Sequence, residues 1–137
     1  MSAYINFRQS LGPLFFATLI SDLPDVVMPG NTIALYADDC KTSRVVTCPS
    51  DQQDFQSDLD NLCIWSQRNL MDFNVEKCKL LRITKKSMLF HSDLKLDESS
   101  LEETSELCDL GLVTSNKLSW NAHVDKARLA LEPILFV

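Results

Sequence analysis

The first half of the chain shows two clear patterns of apolar and polar positions. Over residues 11–22 apolar side chains recur at steps of three and four, which predicts a helix with Ser10 as its N-cap. The apolar run at residues 32–36 predicts a strand, and valines resume after Asp38 and Asp39. We therefore expect a β-hairpin whose tip carries two adjacent aspartates.

The second half begins with a longer helical pattern. Ser50 and Gln53 have the spacing of a capping box, and the apolar positions behind them predict a helix over residues 51–70. Three weaker patterns predict a strand over residues 79–84, short strands and turns over 93–113, and a helix over 120–136. Residues 1–9 show no clear period. This order of elements predicts an α+β fold, with helices packed on one face of an antiparallel sheet.

Length and composition indicate one folded domain. The 137 residues suffice for a single hydrophobic core, and 45% apolar with 23% charged residues is close to the average for globular domains. Nineteen acidic residues against thirteen basic ones give a net charge of −6. That charge argues against a free-standing nucleic-acid binder, because such proteins carry a basic surplus.

Cysteine usage and hydropathy bear on the compartment. Five cysteines without a C-x-x-C pair suggest neither a disulfide framework nor a zinc site, so we expect an intracellular protein of the nucleus or cytoplasm. The apolar stretch at residues 11–20 is shorter than the roughly 20 residues that span a bilayer. It also lacks a cleavage site. We therefore expect no signal peptide, no transmembrane segment and no membrane partner.

Charge is segregated in the second half of the chain. Five basic residues fall within residues 77–86, and seven acidic residues fall within 93–109. They are Lys77, Lys79, Arg82, Lys85 and Lys86, then Asp93, Asp97, Glu98, Glu102, Glu103, Glu106 and Asp109. One interpretation is a basic strand that pairs with an acidic strand across the sheet. The other is a basic strip that faces phosphates.

The Asp38–Asp39 pair is the first candidate for chemistry. Two adjacent carboxylates on a tight turn repel each other, so a fold keeps them together most easily where a cation compensates. Carboxylate oxygens suit Mg²⁺, and two such ions stabilise the attacking and leaving oxygens of a phosphoryl transfer. The alternative is an ordinary solvated hairpin tip, since acidic turns are common.

Four ordered segments carry a more specific signal than the aspartates alone. They are Leu11-Gly12-Pro13-Leu14-Phe15-Phe16 with Ser21-Asp22-Leu23-Pro24; Tyr36-Ala37-Asp38-Asp39; Trp65-Ser66, Asn69, Met71, Phe73-Asn74 and Lys77-Cys78; and Leu110-Gly111-Leu112-Val113 with Leu118, Trp120 and His123. In this order they resemble the reverse transcriptase domain of LINE-type (non-LTR) retrotransposons, whose catalytic box reads Y-A-D-D. The resemblance covers residues 11–131. It implies a partial polymerase palm over residues 1–113 and the start of a helical thumb over 114–137.

The resemblance implies roles for seven residues. Asp38 and Asp39 would be the catalytic carboxylates and would hold Mg²⁺, with Mn²⁺ as an alternative. Lys77 would lie near the leaving pyrophosphate as a general acid, or it is simply a solvated lysine. Gln9 and Tyr36 would contact the incoming nucleotide, and Leu110 and Gly111 would grip the primer. The implied partners are an RNA template, a DNA primer and deoxynucleotide triphosphates.

The chain departs from the family pattern at its start. The family takes a third catalytic carboxylate from a strand before the L-G-P helix, and residues 1–10 hold no Asp or Glu. The glycine of the family's Q-G-S segment is also missing, since Gln9 is followed directly by Ser10. Misplacement of catalytic groups by about 1 Å costs about 10²-fold in rate. We therefore expect the isolated chain not to polymerise.

Two other interpretations stay open. The chain is a non-catalytic retrotransposon remnant that acts as an interaction module, or it is a piece of a longer, active polyprotein. Because the helix at residues 11–22 normally packs on parts of the polymerase that this sequence lacks, we expect Phe15 and Phe16 to be exposed and the protein to self-associate. We expect Trp65 and Trp120 in the core rather than as platforms on which bases stack, and His91 and His123 to be structural or exposed.

Overall fold

Nine strands and three α-helices form the part of the chain that this computed structural model describes, residues 1–6, 13–84 and 93–131. The strands are β1 (Ser2–Asn6), β2 (Thr32–Tyr36), β3 (Asp39–Ser43), β4 (Lys79–Leu81), β5 (Lys95–Leu96), β6 (Ser99–Ser100), β7 (Glu102–Thr104), β8 (Glu106–Asp109) and β9 (Leu112–Ser115). The helices are α1 (Pro13–Leu19), α2 (Pro49–Arg68) and α3 (Asn121–Leu131), with 3₁₀ helices at Ile20–Val26 and Val75–Lys77. The predicted α+β class is confirmed.

The main sheet has β1 at its centre. Its five strands lie in the order β2-β3-β1-β4-β7, and β1 is antiparallel to both β3 and β4. Up to β4 the chain follows a β-α-β-β-α-β order with the first strand between the third and fourth, which is the split β-α-β arrangement. The central strand therefore comes from the residues that showed no clear period.

One edge of the sheet differs from the prediction. β4 and β7 run parallel, with Lys79 opposite Glu102 and Leu81 opposite Thr104, so the sheet is mixed rather than antiparallel. Ion pairs join these strands from Lys79 to Glu102 and from Arg82 Nε to Glu103 Oε2, the latter at 2.8 Å. The cross-strand interpretation of the segregated charge is confirmed for these pairs, while Lys85 and Lys86 lie outside the described residues.

The hydrophobic core lies between one face of the sheet and two helical segments. The sheet contributes alternate side chains, including Ala3 and Ile5 of β1, and these are buried against α2 and against α1 with its following 3₁₀ helix. The largest helical contributors are Phe16, Ile20, Leu23, Phe55, Leu59, Leu62 and Trp65. α3 instead packs against β9. The first two helices thus cover one face of the sheet, as predicted.

Helix α2 begins two residues earlier than predicted and with a different cap. Pro49 is its first residue and Cys48 is the N-cap, so the box predicted from Ser50 and Gln53 is wrong. Asp51 accepts hydrogen bonds from the backbone N–H groups of Thr47 at 2.7 Å and Cys48 at 3.0 Å. A hydrogen bond from the hydroxyl of Thr47 at 2.7 Å, together with these backbone bonds, holds the pKa of Asp51 below its usual range. The stabilising contribution of the carboxylate is therefore present at neutral pH and is lost as the pH falls through its lowered pKa.

The aromatic predictions have mixed outcomes. Trp65 is buried, and its Nε1–H donates to Asp22 Oδ1 at 2.9 Å. Trp120 is 66% exposed and packs edge-on against His123, so its prediction as a core residue is wrong. Phe15 is 72% exposed as expected, but Phe16 is buried because it points from α1 into the core.

Other predictions concern residues that lie partly or wholly outside the described ranges. The helix predicted over residues 11–22 is described from Pro13 and continues as the 3₁₀ helix Ile20–Val26. Its predicted cap Ser10 lies outside the described residues, as do His91 and the end of the helix predicted to residue 136. In the described ranges, no helix combines the length and apolar character needed to cross a membrane.

Candidate functional site

The predicted aspartate hairpin is confirmed. β2 and β3 are antiparallel, Tyr36 pairs with Asp39, and Ala37 and Asp38 form a two-residue loop between them. Ala37 has φ +50°, a left-handed conformation that suits tight hairpin loops. Because Asp39 is the first residue of β3, the second strand begins earlier than the valines suggested. Asp38 and Asp39, half-buried, form what we call the aspartate tip.

A third residue lies at the aspartate tip that the sequence did not single out. Asn6, the last residue of β1, is opposite Asp39 in the ladder. Its Nδ2 amide group donates a hydrogen bond to Asp39 Oδ1 at 2.8 Å. The two residues are 33 positions apart, so no local pattern links them. The one sequence signal for the strand that carries Asn6 is the alternation of Ala3 and Ile5 with polar neighbours. That alternation is too short to define a strand by itself.

A backbone hydrogen bond connects the turn that bears Lys77 to Asn6, next to the aspartate tip. The N–H of Asn74 donates to the carbonyl oxygen of Asn6, and the 3₁₀ helix Val75–Lys77 follows directly. Lys77 is exposed at the end of that helix. Asn6 thus joins the aspartate tip on one side to the lysine-bearing turn on the other, which brings together two segments of the family resemblance.

The turn between β8 and β9 approaches β3 through an ion pair. Lys41 lies two residues after Asp39, on the same face of the sheet, and its Nζ is 3.4 Å from Asp109 Oδ2. The same ammonium group lies 5.3 Å from the centre of the Tyr4 ring. Asp109 directly precedes the turn that holds Leu110 and Gly111.

The β8–β9 turn has an unusual backbone. Leu110 has φ +47° and Gly111 has φ +86°, the two positive values of a type I′ hairpin loop. Glycine adopts this conformation readily, whereas leucine does so at a cost of about 1 kcal/mol or more. The Leu110 side chain is 64% exposed. The predicted primer-grip pair is therefore held out toward solvent on a strained turn.

Of the other two predicted site residues, only Tyr36 is among those that the structure describes. Tyr36 ends β2 next to the tip, and 64% of its surface is exposed. Gln9 lies outside the described residues. His123, predicted to be structural or exposed, accepts a hydrogen bond at Nδ1 from the N–H of Val113 at 3.4 Å and so links α3 to β9.

The thiol beside the aspartate tip belongs to the core. Cys40 follows Asp39, points into the buried face of the sheet and has no exposed surface. Burial, with a smaller contribution from Cys78, raises the pKa of the Cys40 thiol to about 12. The side chain of Cys40 therefore packs in the core and anchors the hairpin beside the aspartate tip.

The donor set at the tip does not fit a complete Mg²⁺ site. Asp38 and Asp39 supply two carboxylates, and one oxygen of Asp39 already accepts the amide N–H of Asn6. Across residues 1–6, 13–84 and 93–131, no three His, Cys, Asp or Glu side chains lie close enough together to hold a metal ion. The third carboxylate that the family resemblance requires is not among these residues.

Comparison with protein-family models, with curated proteins and with solved structures finds no match to this chain. The family resemblance therefore depends on the four sequence segments alone. What the fold adds is the spatial relation between those segments, through Asn6 and through Lys41.

Proposed function

We propose that the chain is the palm segment of an RNA-directed DNA polymerase of a LINE-type retrotransposon, with the start of its thumb after residue 113. By descent, its reaction is nucleotidyl transfer from deoxynucleotide triphosphates to a DNA primer on an RNA template. Asp38 and Asp39 are the residues that would hold Mg²⁺ or Mn²⁺. In this proposal the isolated chain has no polymerase activity.

The observation that carries the proposal is the meeting of separate segments around one hairpin tip. The two aspartates, the turn that bears Lys77 and the Leu110–Gly111 turn are far apart in sequence, yet each connects to β1 or β3 within two residues of the tip. A solvated acidic turn without a function does not require that convergence. The roles of Lys77 as general acid, of Tyr36 and Gln9 at the nucleotide, and of Leu110 and Gly111 at the primer belong to the same proposal.

The proposed lack of activity follows from the donor set. Two carboxylates, one of them bonded to a neutral amide, hold divalent ions weakly, and two-metal phosphoryl transfer depends on ions fixed about 3.5–4 Å apart. We expect purified protein to give no primer extension on poly(rA)/oligo(dT) with Mg²⁺. We expect the same result for Asp38→Ala/Asp39→Ala and for the charge-matched control Asp25→Ala/Asp60→Ala, which removes two exposed carboxylates elsewhere.

The outcomes of that assay test the proposed inactivity and the role of the aspartate tip. Extension by the native chain and the control, but not by the tip variant, would overturn the proposed inactivity and assign the activity to the tip.

Descent from a polymerase is tested by sequencing the genomic DNA 5′ of the Met1 codon. An in-frame strand segment that carries an aspartate supports the proposal, whereas an in-frame unrelated domain contradicts it.

A second candidate function is a non-catalytic interaction module, and exposed apolar side chains favour it. Leu14 and Phe15 of α1 are 79% and 72% exposed, and Trp120 before α3 is 66% exposed. Surface of this kind promotes association because its burial removes apolar area from water. Stop codons or frameshifts in the upstream DNA would support this candidate over a polymerase piece.

Self-association is the measurable consequence of these side chains. We expect the sedimentation coefficient in analytical ultracentrifugation to rise with protein concentration, and the rise to shrink in Phe15→Ser/Trp120→Ser. Val45→Ser is the matched control, because Val45 is 81% exposed and lies in the loop between β3 and α2. A monomer peak independent of concentration for the native chain would contradict the expectation.

A further inference from the structure

Among the described residues, the Asn6–Asp39 bond is the only side-chain hydrogen bond or ion pair made by either carboxylate of the aspartate tip. The N–H of the Asn6 amide points at Asp39 Oδ1 across 2.8 Å, and backbone pairing of β1 with β3 sets the two residues opposite each other. The Asn6 carbonyl oxygen is held from the other side by the N–H of Asn74. Asn6 is therefore fixed at both its backbone and its side chain.

The chemistry of that contact differs from metal binding. An amide N–H offers Asp39 a neutral donor, whereas a divalent cation offers charge and needs oxygen ligands in return. The cation affinity of oxygen sites rises with the number of carboxylates, and asparagine adds none. The hydrogen bond already orients Asp39, and the tip offers a cation only two carboxylates, so Asp39 needs no metal ion to hold its orientation.

We infer that the Asn6–Asp39 bond takes the place of a divalent cation at the aspartate tip. In the native chain it keeps Asp39 oriented without metal, and residue 6 decides whether the tip holds a cation. An aspartate at position 6 would face Asp39 across the same ladder pair. With Asp38 and Asp39 it would then make a set of three carboxylates at the tip. The inference deepens the proposed function, on which it rests for the choice of site.

The test uses Mn²⁺ alone as the probe, followed by electron paramagnetic resonance of the free ion. We expect no saturation of the native chain below about 1 mM Mn²⁺, and an affinity about tenfold or more higher for Asn6→Asp. Asn6→Ala and Asn121→Asp should behave like the native chain. The second of these adds the same charge at an exposed position at the start of α3, so it controls for net charge.

A thermal measurement supplies an independent readout. Without metal, Asn6→Asp should have a lower Tm than the native chain, because the introduced carboxylate and Asp39 would repel each other, and Mn²⁺ should restore it. The exchange variant Asn6→Asp/Asp39→Asn restores an amide beside a carboxylate. It should therefore melt like the native chain and bind no Mn²⁺, even if Asn6→Asp alone does not fold without metal.

Three results would overturn the inference. They are saturable Mn²⁺ binding by the native chain that Asp39→Asn abolishes, no gain of binding in folded Asn6→Asp, and an exchange variant as unstable as Asn6→Asp. None of them bears on descent from a polymerase, which the upstream DNA tests, so failure here is distinguishable from failure of that proposal. Conversely, an unrelated upstream domain would remove the polymerase proposal and leave the Mn²⁺ results intact.

Discussion

Ala3→Asp should lower the free energy of unfolding by about 3–5 kcal/mol, whereas Ala34→Asp should change it by no more than about 0.5 kcal/mol. Ala3 lies in the central strand with no exposed surface, and its face of the sheet is covered by helices. A carboxylate there would be buried among apolar side chains without a partner. Ala34 lies on the edge strand β2, is exposed and pairs with Lys41.

Urea unfolding followed by circular dichroism measures both variants. The loss expected at Ala3 is a large part of the roughly 5–15 kcal/mol that stabilises a domain, so the variant is expected to be partly or wholly unfolded without denaturant. Equal midpoints for the two variants would contradict the central position of β1. The comparison is direct, because the same substitution is made at an alanine on a strand of the same sheet.

Phe55→Ala should cost about 3–5 kcal/mol, and Ile64→Ala about 1 kcal/mol or less. Both residues lie on α2, but Phe55 has no exposed surface and Ile64 is 46% exposed. Removing the Phe55 ring leaves a cavity at the centre of the core, which its neighbours on the sheet and on α2 fill only in part. Removing the Ile64 side chain opens no enclosed space.

Fluorescence of buried Trp65, which lies on the same helix, reports the unfolding of both α2 variants. The unfolding midpoint in urea should fall strongly for Phe55→Ala and little for Ile64→Ala, with similar slopes. Similar losses in both variants would mean that α2 presents a different face to the sheet. A loss confined to Ile64→Ala would have the same meaning.

The elements that could be predicted are those whose pattern is local. The β2–β3 hairpin follows from a short apolar run on either side of a two-residue loop, and α2 follows from apolar side chains at steps of three and four. The predicted start of α2 is two residues late because Ser50 is a residue type that favours the N-cap, whereas the observed N-cap is Cys48. The Asp51 carboxylate fixes this start by accepting hydrogen bonds from the N–H groups of Thr47 and Cys48.

The central strand could not be predicted from its own residues. β1 is five residues long, and its stability comes from ladders with β3 and β4, which lie far along the chain. The parallel pairing of β4 with β7 also depends on partners distant in sequence. Trp120 failed as a core residue for a related reason, since α3 packs against β9 rather than on the main sheet and leaves that ring in solvent.

For the candidate site, the sequence by itself determined the two aspartates on a hairpin tip, because strand, loop and carboxylates are adjacent in the chain. It also supplied Lys77, Leu110 and Gly111 as residues of the segments that resemble reverse transcriptases, but not their positions in space. Only the tertiary structure decided that Asn6 bonds to Asp39, that Asn74 bonds to Asn6, and that Lys41 reaches Asp109. These contacts join residues 33 to 68 positions apart, and their geometry is fixed by strand register rather than by local pattern.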